Sequence, residues 1–524
     1  MARINTNVSS LLAQRSYARN SDTLTVSLER LSTGLRINRG KDDPAGLIAS
    51  ENLRAERSAL SAAVGNADRA DQVVSIAEGG LQEISNMLTE LQGLITETAN
   101  TAGLSKEERE ANQLQIDSIL QTIDRVAAAT SFQGLKLLSG SFDYTTDAVS
   151  ASVSSFRVNG AKLPYQGSTD VSVLVTASAQ LAGLFLSFGN ADLNLGGAGA
   201  GDGAGRQFVF EIAGNRGSRE LSFSSGSNLT NIVAAINTFS QVTGVRARVS
   251  GTTGIRLESL DFGSDQLVSV RVNDDGSILD PGAVGVYKLQ AGDSSASQAT
   301  RTSTYAAARN KVTDFGQDVQ GTINGIIATT RGTVARITTD FLDVEVNLVY
   351  DAASSNPNAA KLGRINAFSI LGGGADFQLA GNVDIAGKVS VGIQDFAVRN
   401  VGRTNVDVNG TDTTFFLKDL VAGRSLNVVD GNPTAAQEVV SAAIKEVTSL
   451  RGRLGAFQKN TIGATVRSLG IALENTTAAE SVIRDTDFAE ETSALTRAQI
   501  LVSSSVSTLG LANSSPQAAL QLLG

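Results

Sequence analysis

The sequence predicts an α+β protein: a long α-helical coiled-coil shaft made from both ends of the chain, with β-rich outer domains inserted between them. Residues 1–135 and 433–524 hold only 15 of the 52 glycines and 4 of the 25 phenylalanines and tyrosines, and their apolar residues recur at helical spacing. The 297 residues between them carry the remaining glycines and aromatics and alternate polar with apolar in short, turn-bounded runs. At 524 residues the chain is too long for one core and calls for several domains.

The helical ends come first. Leu24, Leu28, Leu31 and Leu35 are spaced as one seam of a coiled coil. Leu81, Ile84, Leu88, Leu91 and Ile95 repeat the rule, as do Ile116, Ile119, Ile123 and Val126, and near the other end Val447, Leu450, Leu454, Phe457 and Thr461. Four stretches with one period predict mutual packing. Asp43-Pro44 and Asn432-Pro433 each place an Asx at the N-cap and a proline at the first helical position, where its missing N–H costs nothing. From Pro433 to Glu474 such a helix would make a rod about 65 Å long, which needs a bundle around it. The first and last 40 residues or so differ. They have too little helix around them to close a bundle, and 495–523 places Leu and Val on more than one face, so these ends are expected to order on meeting other copies. Assembly is assigned to Leu24, Leu28, Leu31 and Leu35 with Val502, Val506, Leu509, Leu520 and Leu523, and register to Arg30 and Arg36 set against Asp487, Glu490 and Glu491.

In the middle, 140–190 alternates around Val158-Asn159-Gly160 and predicts a β-hairpin packed on the rod helices. The glycine-rich run 194–206 lacks phosphate-loop spacing and leads into a strand, so it reads as a linker. Strands at 207–213 and 219–224, a helix capped by Ser227 with Leu229, Ile232, Val233 and Ile236 on one face, and strands at 245–250, 254–260 and 267–272 form one unit.

Composition narrows the chemistry. With no Cys and no His there is no disulfide, thiolate nucleophile, imidazole base or zinc motif, so neither a cofactor nor a metal is expected and the chain reads as no enzyme. Acidic residues lie scattered singly through the middle, without a pair that pattern picks out for hydrolysis. The net charge of −9 argues against nucleic acid as a partner. The first 41 residues are basic, but their cations are spread singly among apolar residues, and Asp485–Glu491 supplies an acidic counterpart. No run approaches the roughly 18 apolar residues of a membrane span, so no membrane partner is expected, and the N-terminus carries no Sec-type apolar region.

The residues then carry a resemblance. Ile4-Asn5-Thr6-Asn7, ERLSTGLRIN at 29–38, KDDPAG at 41–46, and the closing RGRLGAFQKNT, ALENTTAAESVIRDTDFAEE, RAQIL and LQLLG are similar to bacterial flagellin. The likeness covers about 140 residues at the start and 90 at the end. Residues 206–272, with Ala235-Ile236-Asn237 ending the helix, resemble the IN motif of flagellins and hook-associated proteins, and GQDVQGTINGIIATTRGT and FSILGGGADFQLAG resemble outer-domain sequence of longer flagellins.

This resemblance implies a structural subunit that polymerises into the flagellar filament, the propeller for swimming. It implies an inner-tube layer of 1–42 with 486–524 and a rod layer of 43–185 with 406–485. Outer domains would fall at 186–300, containing the IN motif, and at 301–405. It further implies an extracellular location reached by type III export without signal cleavage, and as partners the chain itself, a flagellin-specific export chaperone, and the filament cap and hook–filament junction proteins. A hook–filament junction protein is the alternative, since it shares the N-terminal pattern; RLGAFQKNT and LQLLG favour flagellin. In flagellins sensed by the animal Toll-like receptor for flagellin, the helix matching 88–95 carries a central Arg and the next helix a Glu. Here Leu88 and Leu94 flank Glu90, and Gln115 takes the second position, which implies weak innate-receptor recognition.

Overall fold

The computed structural model describes residues 6–100, 102–164, 167–196, 206–278, 283–288, 301–349, 362–408 and 411–523. Its helices are α1 (Val8–Thr33), α2 (Pro44–Thr98) and α3 (Lys106–Ala129) at the start, and α4 (Leu229–Thr238) with the single turn α5 (Ser240–Thr243) in the middle. At the end come α6 (Pro433–Ala456), α7 (Gly463–Arg484) and α8 (Phe488–Leu523). Among the described residues no helix is long and apolar enough to cross a membrane. The chain divides into two compact units. One comprises 1–79, 377–389 and 448–524, the other 80–376 and 390–447, and α2 and α6 each contribute to both.

In the first unit, α2 up to residue 79 runs antiparallel to α7. Leu60, Ala63 and Leu469 form its core with Val64, Ala472 and Leu473. Cross-helix ion pairs flank the line: Arg57–Glu480 at 3.1 Å, Arg484–Glu51 at 2.8 Å and Arg451–Glu78 at 3.6 Å. Both prolines begin their helices as expected. Gly46 N donates to Asp43 Oδ1 at 2.9 Å, and Thr434 N donates to Asn432 Oδ1 at 3.0 Å.

The expected seam through Thr461 is displaced by one residue. A π-helical turn, Phe457–Ile462, joins α6 to α7 and puts five residues between consecutive seam positions, so Ile462, 2% exposed, replaces Thr461 and the seam resumes at Leu469. The turn is held from both sides. Gln458 Nε2 donates to Asp71 Oδ1 at 3.2 Å and Ser75 Oγ at 2.8 Å, and the Phe457 ring lies 6.3 Å from that of Phe377.

In the second unit, Leu81, Ile84, Leu88, Leu91 and Ile95 are all buried, as the spacing predicts. On α3 the seam is Ile116, Leu120, Ile123 and Ala127, whereas Ile119 and Val126 are only half-buried, because a four-residue step at 116–120 rotates the buried stripe. Ser105 and Glu108 form a capping box at its start. Val439, Val440, Ala443 and Val447 bury the facing side of α6.

Two antiparallel β-sandwiches complete this unit. One pairs a five-stranded sheet, in order Ile326–Ile327, Gln320–Ile323, Thr169–Ala177, Gly363–Gly373, Tyr144–Asp147, with a four-stranded sheet of Thr329–Arg331, Val334–Thr338, Leu342–Leu348 and Val153–Ala161. The other is built on Gly183–Ser187, Gly254–Ser259, Leu267–Asp274 and Gln207–Gly214, with Leu229, Ile232 and Ile236 of α4 in its core. The strands of the expected IN unit therefore form as read, but its cap is Asn228, not Ser227: Asn231 N donates to Asn228 Oδ1 at 2.8 Å.

The hairpin expected around Val158-Asn159-Gly160 does not form. These residues lie inside the strand Val153–Ala161, which pairs with Leu342–Leu348, while Thr169–Ala177 belongs to the opposite sheet. Val158 and Asn159 are buried, Asn159 Nδ2 donates to Asp343 Oδ1 at 3.0 Å, and a Cβ on Gly160 would come within 2.9 Å of the Ser390 carbonyl. The glycine serves close packing, not a turn. The two cores consequently divide the chain elsewhere than at 185/186 and 300/301, since strands of 144–177 share a core with strands of 320–370. The linker reading at 194–206 lies largely outside the described residues.

Helix α6 is tied to the first sandwich by one carboxylate. Glu446 accepts from Gly402 N at 3.2 Å and lies 3.8 Å from the Arg157 guanidinium. Gly402 sits at φ +78°, and a side chain there would meet the Val439 carbonyl at 2.8 Å. Burial pushes the Glu446 carboxyl above its ordinary range, and the Gly402 N–H and Arg157 only partly offset this. A folded-state pKa above the unfolded one means that the ionised form opposes folding at neutral pH and that this cost disappears as pH falls through the folded-state pKa. Glu446→Gln is therefore expected to raise the Tm relative to the parent most at neutral pH and least in acid, measured as paired melts across that range.

Candidate assembly interface

Helices α1 and α8 run antiparallel along their length. Asn7 Nδ2 donates to Ala512 O at 2.8 Å, Ser10 Oγ to Asn513 Oδ1 at 2.7 Å, and Asn20 Nδ2 to Ser505 Oγ at 2.7 Å; Arg30 meets Glu491 at 3.5 Å. The residues buried between them are small or polar: Ser10, Ala13 and Ser27 on α1, and Glu491, Ala498 and Ser505 on α8. Small side chains let the backbones approach, and the hydrogen bonds fix register without a large hydrophobic return.

The apolar residues are thereby left outside. Leu28 is 50% exposed, Val506 53% and Leu511 72%, with Leu11, Leu12, Ile500 and Leu501 also exposed. A groove of about 430 Å³ lies along the pair, lined by Val8, Leu12, Ala13, Leu501 and Ser505 among others. Of the residues assigned to assembly, Leu24, Leu31, Val502 and Leu509 are half-buried along the seam, and Leu35 is half-buried beyond the end of α1. Leu28 and Val506 face away from it. Leu520 and Leu523 lie in the part of α8 whose side chains fall outside the described residues. The leucine spacing at 24–35 is thus not the intramolecular seam: that seam follows 10, 13, 20, 24, 27 and 31, a heptad pattern of Ser, Ala, Asn and Leu that a search for aliphatic residues passes over.

The charged residues divide their roles. Among the described residues, only Arg30 forms an ion pair across the helices, with Glu491. Arg36 instead donates from Nη2 to the Ile483 carbonyl at 2.6 Å, and its backbone N donates to Arg484 O at 2.7 Å. Thr486 N returns a hydrogen bond to Gly34 O at 3.0 Å, and Leu35 and Asp485 form an antiparallel bridge. This clasp joins the loop after α1 to the break between α7 and α8. Gly34, in the left-handed region at φ 73°, ends α1 there. Asp487 caps α8, accepting from Ala489 N at 2.8 Å and Glu490 N at 3.2 Å, and Glu490 is exposed in the first turn. On the second unit Leu88 is buried in the helix core, Leu94 is half-buried, and Glu90 and Gln115 are exposed.

Comparison with known proteins bears on this arrangement. The bacterial flagellin N-terminal helical region matches residues 4–143, its C-terminal helical region 437–523, and the flagellin hook IN motif 207–261. Flagellin B of Helicobacter pylori is 27% identical over 546 aligned positions, covering 99% of both chains, and flagellin D of Vibrio cholerae is 26% identical with the same coverage. A flagellar junction protein from Legionella pneumophila superposes on 83% of this chain at 12% identity with a TM-score of 0.26.

Removal of the α8 cap tests the local reading. Asp487→Ala should cost about 1 kcal/mol at that helix start, read as faster amide exchange at Ala489 and Glu490 with no change at α2.

The paired terminal helices, the IN unit between them and full-length matches to filament proteins lead to one assignment: the chain belongs to the bacterial flagellin family, structural proteins of the flagellar filament.

Proposed function

We propose that this flagellin polymerises through the outward faces of the α1–α8 pair, with 1–42 and 486–524 forming the inner tube, the long helices of 43–98, 106–129 and 433–485 the rod layer around it, and the β-sandwiches the filament exterior. The observation that carries this reading is the inversion of the pair: small and polar residues inside, Leu11, Leu12, Leu28, Ile500, Leu501, Val506 and Leu511 outside. A helical pair with that distribution gains little from its own contact. Each aliphatic side chain buried by a neighbouring copy contributes roughly 1.5–3 kcal/mol, which offsets the entropy of ordering the ends. Heterologous contacts that do not close generate an open helical polymer.

The chain is exported by the flagellar type III route without cleavage, held beforehand by a flagellin-specific chaperone and received by the junction and cap proteins at the growing end. The absence of any Cys supports this route, since an unfolded chain without thiols cannot cross-link in transit.

Leu28→Asp and Val506→Asp should each abolish tubes in negative-stain microscopy while leaving monomer helicity unchanged, and a chain lacking 486–524 should stay monomeric. Normal polymerisation of the truncated chain would overturn the inner-tube assignment. Innate-receptor activation is expected to be weak, because Glu90 presents an exposed anion where sensed flagellins carry a cation. Reversing a charge recognised in a desolvated pair costs several kcal/mol, and a reporter-cell assay with full potency for the parent chain would refute this.

A further inference from the structure

The five-stranded sheet of the first sandwich carries a groove of about 970 Å³ on its outer face, within the range of small-molecule sites. The sheet is irregular there. The strand Gly363–Gly373 breaks register with Thr169–Ala177 between Asn366 and Phe368, and Gln320–Ile323 breaks register with the same strand between Gln320 and Gly321. The first bulge buries Ala367 and Phe368 together and turns Asn366 outward, into the groove.

The floor is held rigid. Asn324, in the left-handed region at φ 50°, accepts from Ser172 N at 2.8 Å and from Ser172 Oγ at 3.3 Å, and its Nδ2 donates to Asp170 O at 2.9 Å. Asp170 lines the groove and is oriented by Ser369 Oγ, which donates to Oδ1 at 2.6 Å; Oδ2 makes no hydrogen bond among the described residues. Arg364 reaches Ser172 Oγ at 3.4 Å and meets no carboxylate within ion-pair distance among the described residues. Asn366 makes no side-chain hydrogen bond among the described residues, and Leu174, 44% exposed, supplies an apolar patch between these groups.

A solvated sheet face needs neither the bulges nor the side-chain lock from Asn324. We propose that this groove binds a neutral oligosaccharide: the Asp170 carboxylate accepts from sugar hydroxyls, the Asn366 amide and Arg364 guanidinium donate to them, and Leu174 takes the C–H face of a ring. One carboxylate and one guanidinium cancel in charge, which favours a neutral ligand over an acidic one. The size of the groove favours an oligosaccharide over a single ring.

The test uses the full chain, as monomer and as polymer, on an array of neutral, carboxylated and sulfated oligosaccharides, with affinities then titrated by calorimetry. Retention of neutral oligosaccharides, weakened at least tenfold by Asp170→Asn and by Asn366→Ala with Tm unchanged and unaffected by Glu220→Gln in the other sandwich, is the expected result. Binding by the monomer but not by the polymer would support the site and show that neighbouring copies cover it in the polymer. Equal binding by both would support it with the groove open in the polymer. No retention in any form, retention equal in the variants, or retention of sulfated sugars alone through Arg364 would each overturn the proposal.

Discussion

The terminal helices of this chain depend on bringing its two ends together antiparallel. The clasp at Leu35–Asp485, closed by Arg36 and Thr486, fixes where the terminal pair begins. On one side of it Asn7, Ser10 and Asn20 hold α1 to α8 by hydrogen bonds; on the other α2 and α7 meet through Leu60, Ala63 and Leu469. The two pairs differ in kind. The second buries aliphatic surface within one chain, whereas the first buries Ser, Ala and Asn and keeps its aliphatics outside. Since hydrophobic burial is the dominant favourable term in association, the exposed set has its largest gain still available in a contact outside the pair.

The long helices show how a packing constraint overrides a regular repeat. From Val447 to Phe457 the seam keeps heptad spacing, but the next apolar residue that can face α2 is Ile462, five positions on. A continuous α-helix would put Thr461 there and turn Leu469 off the line. The π-turn absorbs the extra residue, and Gln458 bonding to Asp71 and Ser75 satisfies polar groups at the irregularity.

The β-rich middle obeys ordinary sandwich logic. Strands with one buried face alternate, Gly183–Ser187 and Gly254–Ser259 are buried throughout, and the two cores take their strands from wherever the chain returns, not from contiguous segments. For that reason Tyr144–Asp147 and Thr169–Ala177 pack with strands some two hundred residues later, and the Val158-Asn159-Gly160 text that reads as a turn lies inside a strand. The same sheet, interrupted by its bulges, holds the groove.

The sequence alone determined the elements whose cause is local. Asx-Pro starts at 43–44 and 432–433 cap as they must, since a side-chain oxygen and a missing N–H act within a few residues. The seam from Leu81 to Ile95 follows from helical periodicity, and the strands of the IN unit from alternation. Tertiary structure decided what depends on distant partners. Leu28 and Val506 carry the same aliphatic side chains as Leu24 and Val502, and only the position of the opposing helix turns one pair toward the seam and the other to solvent. Arg30 and Arg36 are equally basic, yet one finds Glu491 and the other a backbone carbonyl, because the clasp ends α1 between them. A side chain's chemistry is written in the sequence; which face it occupies is set by what packs against it.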